Sequence, residues 1–203
     1  MGLGQDARAS RLAETARVTK LVPDVLHPAP DGMPEAMLRS LALDGVLVRI
    51  DAGYQPIDVP TTPAVRAAAI APRVPRELAP DGMIVAGPSA AWVWGGLPRL
   101  EEPLTIVVRG AGRMPAVDQP GAHLHRILLA DAEIVALGEV LVTSPLRTVL
   151  DLLRGGRPDL EPAARILEAA GLSPAVAADA LRARRRLPGR RRGLARAQLL
   201  LTR

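Results

Sequence analysis

The chain has 203 residues, enough for one large domain or two small ones, and 48 % of them are apolar. It has no Cys, which excludes disulfide scaffolds, thiol nucleophiles and thiolate metal sites, and no Phe, one Tyr and two Trp, a scarcity of rings that argues against RNA readers that stack bases. Nine of its 26 Lys and Arg lie in residues 182–203 and none of its 21 Asp and Glu does, so residues 1–181 carry 17 cations against 21 acids (net −4) ahead of a tail of net +9.

Residues 8–21 read as a helix, with Leu12, Ala16 and Thr19/Lys20 at helical spacing. A Pro-rich stretch from Pro23 to Pro34 follows, with Asp31-Gly32 as a turn pair. Pro34 suits the first position of a helix running to Leu43, whose Met37, Leu38 and Leu41 share a face. Asp44-Gly45 closes it. Val46 to Ile50 and Tyr54 to Val59 then pair as strands around the turn Asp51-Ala52-Gly53. Thr62-Pro63 opens another helix as N-cap and first residue, carrying Val65, Ala68, Ala69 and Ile70. Pro72, Pro75 and Pro80, with Asp81-Gly82, mark the expected domain boundary, giving units 1–80 and 81–203.

Past the boundary, Met83 to Ala86 is a short apolar segment and Ser89 to Trp94 a short helix stopped by Gly95-Gly96. Leu104 to Arg109 reads as a strand, Gly110 to Gly121 as a loop and His123 to Leu129 as a further strand. Ile134 to Leu137 and Val140 to Thr143 flank Gly138-Glu139 like a hairpin. Ser144-Pro145 opens a helix with Leu146, Val149, Leu150 and Leu153 on one face; Asp159 and Ser173-Pro174 cap two more. Pro188-Gly189 breaks the chain before a last helix from Arg190. Residues 1–10 lack the apolar core of a signal peptide, and no run approaches about 18 apolar residues, so the expectation is a soluble cytoplasmic protein.

Chemistry-bearing patterns are thin. His123-x-His125 would share one strand face, but nothing completes a metal ligand set. Gly110-x-Gly112 follows a strand, yet Pro115 stands where a dinucleotide site needs its third Gly. Ser89 lacks the context of a nucleophile elbow, and Glu101-Glu102 sits on a loop, where adjacent carboxylates rarely converge. Trp92 and Trp94 serve either as packing under the sheet or as a partner contact. No enzyme signature and no cofactor site emerges. The arginine cluster points to a polyanion, since arginines gain free energy by releasing counterions from phosphates; the competing reading is a solvated face on terminal helices. The helix–helix–hairpin order over 8–59 suits a winged helix, whose recognition helix Pro34–Leu43 offers Arg39 and Ser40, with Arg49 on the wing.

The segments Gly45–Tyr54, Thr62–Ile70, Gly87–Leu97, Leu104–Arg109, His123–Arg126 and Val142–Leu152, taken together and in this order, resemble the AbiEi-type antitoxins. Gly45-Val-Leu-Val-Arg-Ile-Asp-Ala-Gly-Tyr54 is similar to that family's wing segment, and Thr62-Pro63 through Ile70 to the helix after it. Gly87-Pro-Ser-Ala-Ala-Trp-Val-Trp-Gly-Gly-Leu97 resembles its Ser-Ala-Ala helix. Leu104–Arg109 and His123-Leu-His-Arg126 resemble two of its strands, and Val142-Thr-Ser-Pro-Leu-Arg-Thr-Val-Leu-Asp-Leu152 its helix start. Order and spacing hold over roughly residues 40–200. The stretch before Pro34 departs from the family in lacking a clean helix-turn-helix, and the recognition helix carries a single cation.

The resemblance implies an α+β protein: an N-terminal winged-helix-like domain, then a mixed α/β antitoxin domain ending in a basic helical segment. It implies an autorepressor of a type IV toxin–antitoxin module that binds double-stranded DNA at its own promoter and counters a nucleotidyltransferase-like toxin of the AbiEii kind. Related actinobacterial chains continue into an endonuclease-like domain. This chain ends at Arg203, where that domain would begin, so nuclease activity is not implied, and with no enzyme signature a non-enzymatic regulator is expected. The expected DNA contacts are Arg39, Ser40 and Arg49, with Arg182, Arg184, Arg185, Arg186, Arg190, Arg191, Arg192 and Arg196. The alternative is an interaction module that engages such a toxin without binding DNA.

Overall fold

The structure, a computed structural model, describes residues 24–29, 33–75, 82–108 and 121–202. The helix expected over 8–21, the turn at Asp31-Gly32, the boundary at 80/81 and the loop after Arg109 lie outside these. Among the described residues are seven α-helices and two β-sheets, an α+β arrangement.

The first part is small. Helix α1 (Glu35–Leu43) starts one residue later than its sequence suggests, because Pro34 adopts extended geometry and takes the N-cap position. Strands β1 (Leu47–Ile50) and β2 (Gly53–Pro56) pair antiparallel, with Arg49 opposite Tyr54. They are shorter than Val46–Ile50 and Tyr54–Val59, since the chain beyond Pro56 turns, the Val59 N–H bonding the Pro56 carbonyl. Leu26 bridges to Tyr54, adding an extended segment beside the hairpin. Leu38, Leu47 and Tyr54 form the buried cluster of this part. Helix α2 (Pro63–Ile70) begins where Thr62 Oγ1 accepts from the Val65 N–H.

The second sheet has strand order β5-β4-β3-β7-β6, formed by β3 (Met83–Val85), β4 (Leu104–Val108), β5 (Ala122–Arg126), β6 (Ile134–Leu137) and β7 (Val140–Thr143). Pairs β3–β4 and β6–β7 are antiparallel, β3–β7 and β4–β5 parallel. Alternation decides the faces. Met83, Val85, Leu104, Ile106, Val108, Val140 and Val142 enter the main core, while Ile84, Ala86 and Val107 join a smaller cluster with Leu129, Ile134 and Leu141. Strand β5 stops at Arg126, leaving Leu128 in solvent rather than in the strand expected to reach Leu129.

Helices α3 (Gly87–Val93), α4 (Pro145–Arg154), α5 (Glu161–Ala169), α6 (Pro174–Ala183) and α7 (Arg190–Leu201) supply the other side of the main core. Helix α2 contributes Val65, Ala67, Ala69 and Ile70 to that core. Ser144 caps α4 through the Arg147 N–H, and Ser89 Oγ accepts from the Thr105 N–H, so this serine fixes α3 against β4. Asp159 caps α5 from one residue further out than a standard N-cap, accepting from the Glu161 N–H at 2.9 Å. Gly193 lets α7 close down: a Cβ there would lie 3.1 Å from Arg154 Cγ and 3.2 Å from a Leu181 methyl. Among the described residues no helix is long and apolar enough to cross a membrane.

Candidate functional site

The arginines of 182–196 divide into two kinds. Arg190 Nε donates to the Leu181 carbonyl at 2.9 Å, and its Nη2 to that of Arg182. Arg196 Nη1 donates to the Leu153 and Gly155 carbonyls at 3.2 and 2.7 Å, and Arg192 also reaches Gly155. The last carbonyls of a helix have no partner within it and carry the negative end of its dipole. These guanidiniums therefore close the C-termini of α4 and α6. Arg182 pairs with Asp179, one helical turn away. Arg185, Arg186 and Arg191 are exposed and make no hydrogen bond or ion pair among the described residues.

Arg184 goes inward. Its Nη2 donates to Glu133 Oε1 at 2.8 Å, where the Arg147 Nη1 also arrives at 3.1 Å. Arg147, only 5 % exposed, extends Nε to Asp151 Oδ2 at 3.0 Å, and Arg154 Nη2 holds the other Asp151 oxygen at 3.0 Å. The result is a chain Arg184–Glu133–Arg147–Asp151–Arg154 that ties the entry to β6, α4 and the end of α6 together. Burial pushes the Glu133 carboxyl up, but the Ala130 N–H and the guanidiniums of Arg147 and Arg184 outweigh it, and it titrates below its ordinary value. Burial likewise pulls Arg147 down, and Asp151 and Glu133 more than restore it. Arg154 ends lowered, since burial dominates and Arg147 and Arg184 repel it.

The remaining expected contacts sit elsewhere. Arg39 is exposed on α1, with Nε 3.0 Å from Glu35 Oε1, the carboxylate oxygen that also accepts from the Tyr54 hydroxyl at 2.8 Å. That phenol first, and Arg39 after it, hold the Glu35 carboxyl below its usual range. Ser40 is exposed one residue on. Arg49 is exposed on β1, its Nε donating to the Asp51 carbonyl at 3.3 Å. Helix α1 packs on β1, whereas α6 and α7 pack on each other and on α4. The expected contacts thus form two separate groups, one on each of these units.

Sequence reasoning missed a cleft of about 330 Å³ beside the first hairpin, lined among others by Arg49, Asp51, Gln55, Arg66, Trp92 and Arg99. Arg66 lies over the Trp92 ring, 5.1 Å from its centroid, and its Nη1 donates to the Trp92 and Leu97 carbonyls. A lone cation inside Pro-Ala-Val-Arg-Ala-Ala-Ala-Ile was the available signal. The two Trp are packing groups: Trp92 is buried, and the Trp94 indole donates to the Thr143 carbonyl at 2.8 Å. His123 and His125 are exposed on the edge strand β5, and no trio of potential ligands converges to hold a metal among the described residues. Glu101 and Glu102 part company, one pairing with Arg157 and the other with Arg73.

No family model matches the chain, and no curated protein does. Among solved structures it is similar to the crystal structure of the RV2827C protein from Mycobacterium tuberculosis, at 20 % identity over 96 % of this chain and 80 % of that one, with a TM-score of 0.34.

Proposed function

We propose that this protein is a cytoplasmic, non-enzymatic DNA-binding regulator, the antitoxin-like member of an AbiEi/AbiEii-type pair that occupies its own promoter. The observation that carries the reading is the trio Arg185, Arg186 and Arg191. They are exposed guanidiniums around the α6–α7 turn, with no carboxylate paired to them among the described residues. Such groups are available for phosphates, whereas Arg184, Arg190 and Arg196 are engaged within the fold. Sequence reading falls to Arg39, Ser40 and Arg49. The test is a fluorescence-anisotropy titration on the chain's own upstream duplex and on a shuffled duplex, each at two salt concentrations. Tighter upstream binding that survives the higher salt supports a repressor; equal binding that vanishes with salt removes it.

A second reading, a module that engages a nucleotidyltransferase-like toxin directly, draws on a different observation. Met37, Leu43, Val46, Val48 and Ile57 are exposed around α1 and the hairpin, Leu43 to 89 %. A helix that reads base edges carries polar donors there rather than Leu and Met. Co-purification with the neighbouring gene product, abolished by Leu43→Glu, is the outcome this reading requires.

A further inference from the structure

The cleft beside the hairpin has an unusual inventory. Three guanidiniums, Arg49, Arg66 and Arg99, line it with one carboxylate, Asp51. That carboxylate is already committed, its Oδ1 accepting from Arg73 at 2.8 Å. Arg66 has its Nη1 on two backbone carbonyls and no acidic partner among the described residues, and only burial acts on its titration, lowering it. Arg99 is exposed without a hydrogen bond or ion pair among the described residues. A half-buried cation lacking a counter-charge is costly, and an anion in the cleft relieves it.

Two acceptors complete the inventory. Gln55 is 2 % exposed; its amide nitrogen donates to the Val59 carbonyl and to Thr61 Oγ1, and its Oε1 has no partner among the described residues. Asp51 Oδ2 is likewise buried and without one. Inorganic phosphate answers the arginines and leaves these acceptors unmet. A nucleotide offers both, with phosphate oxygens for the guanidiniums and hydroxyl or amino hydrogens that the free oxygens of Gln55 and Asp51, buried beneath the cleft lining, meet by turning their side chains into it.

We infer that this cleft binds a single nucleotide unit, its phosphate on Arg49, Arg66 and Arg99 and its sugar or base donors toward Gln55 and Asp51. The site shares Arg49 with the proposed duplex contacts but none of the α6–α7 arginines, and it stands whether or not those grip duplex DNA. The unit comes either from a free nucleotide or from a nucleotide within a single strand.

The test is titration of the whole chain with the four ribonucleoside 5′-monophosphates, their unphosphorylated nucleosides, inorganic phosphate and a short single-stranded oligonucleotide. It is followed by the indole N–H signals of Trp92, at the cleft, and Trp94, outside it. The expected result is a saturable shift of the Trp92 signal with a nucleotide, weaker with phosphate alone and absent with nucleosides. Arg99→Ala, an exposed change that leaves the fold intact, should weaken binding about tenfold, as loss of one charge-assisted contact does; Arg66→Gln should abolish it. Tighter binding of the monophosphate or of the oligonucleotide identifies the source. No saturable shift with either, equal response to nucleosides, or an unchanged affinity in Arg99→Ala overturns the assignment. None of these readouts uses the duplex, so failure here and failure of promoter binding are separable.

Discussion

The α1–hairpin unit and the α4–α6–α7 unit treat their surfaces in opposite ways. The helical unit takes a segment in which nine of 22 residues are arginine and folds four of them back onto protein: Arg184 onto Glu133, Arg190 onto the end of α6, Arg192 and Arg196 onto the end of α4. Among the described residues, the hairpin unit has a buried cluster of Leu38, Leu47 and Tyr54 and leaves five large apolar side chains in solvent. Charge density in a sequence therefore overstates free charge where helix ends are nearby to absorb it. Apolar content correspondingly overstates burial where the local unit is too small to hide it.

The sharpest way to break this comparison is to open the buried network. Among the described residues, Arg147→Met removes the guanidinium that Glu133 and Asp151 share, leaving Glu133 only Arg184 and Asp151 only Arg154, and removing one member of a buried ion pair costs about 3–5 kcal/mol. For a chain of this size the melting temperature should fall by on the order of 10 °C. Thermal unfolding followed by circular dichroism measures it; a shift within about 2 °C would mean that the network is solvated and that the helical unit holds its charge no differently from a surface.

Acid probes the same network more gently. The Glu133 carboxyl is held below its ordinary value of 4.5, so its contribution is complete above that value and is lost as pH falls through the lower, folded one. Glu133→Gln should be less stable than the parent near neutrality, and the gap should close as pH drops from about 6 to about 3. Denaturant midpoints across that range decide the matter. A gap independent of pH would assign the loss to packing instead.

Arg196→Ala comes next. It removes two hydrogen bonds to the Leu153 and Gly155 carbonyls at a helix C-terminus, worth about 1–3 kcal/mol together for a half-buried cation. Urea midpoints for Arg196→Ala and Arg185→Ala, side by side, distinguish the anchored kind of arginine from the free kind.

Much of the fold was legible because local rules set it. Thr62 and Ser144 do cap their helices, the turn at Asp51-Ala52 does reverse the hairpin, and Gly138-Glu139 does join β6 to β7. The strand limits were misjudged where the apolar pattern ran on past the pairing, as at Ile127–Leu129. The network was not legible. Arg147 and Asp151 are four apart on one helix and invite pairing, but Glu133 lies 14 residues from Arg147 and 51 from Arg184, and no periodicity connects them. The cleft was hidden for the same reason, since Gln55, Arg66 and Arg99 meet only through packing.

The smallest expected effect on stability belongs to the triple change Arg185→Ala, Arg186→Ala, Arg191→Ala. These side chains have no partner among the described residues to lose, so melting should move by no more than about 2 °C. Binding is where they matter. Each phosphate contact contributes about 0.9 to the slope of log affinity against log salt, so the triple change should flatten that slope by up to about 3 and weaken upstream and shuffled duplexes alike. Arg49→Ala should instead narrow the difference between the two duplexes. If the triple variant melts normally and binds duplex DNA with an unaltered slope, the free arginines are merely solvated, and the exposed apolar face of the hairpin unit becomes the better guide to what this protein meets.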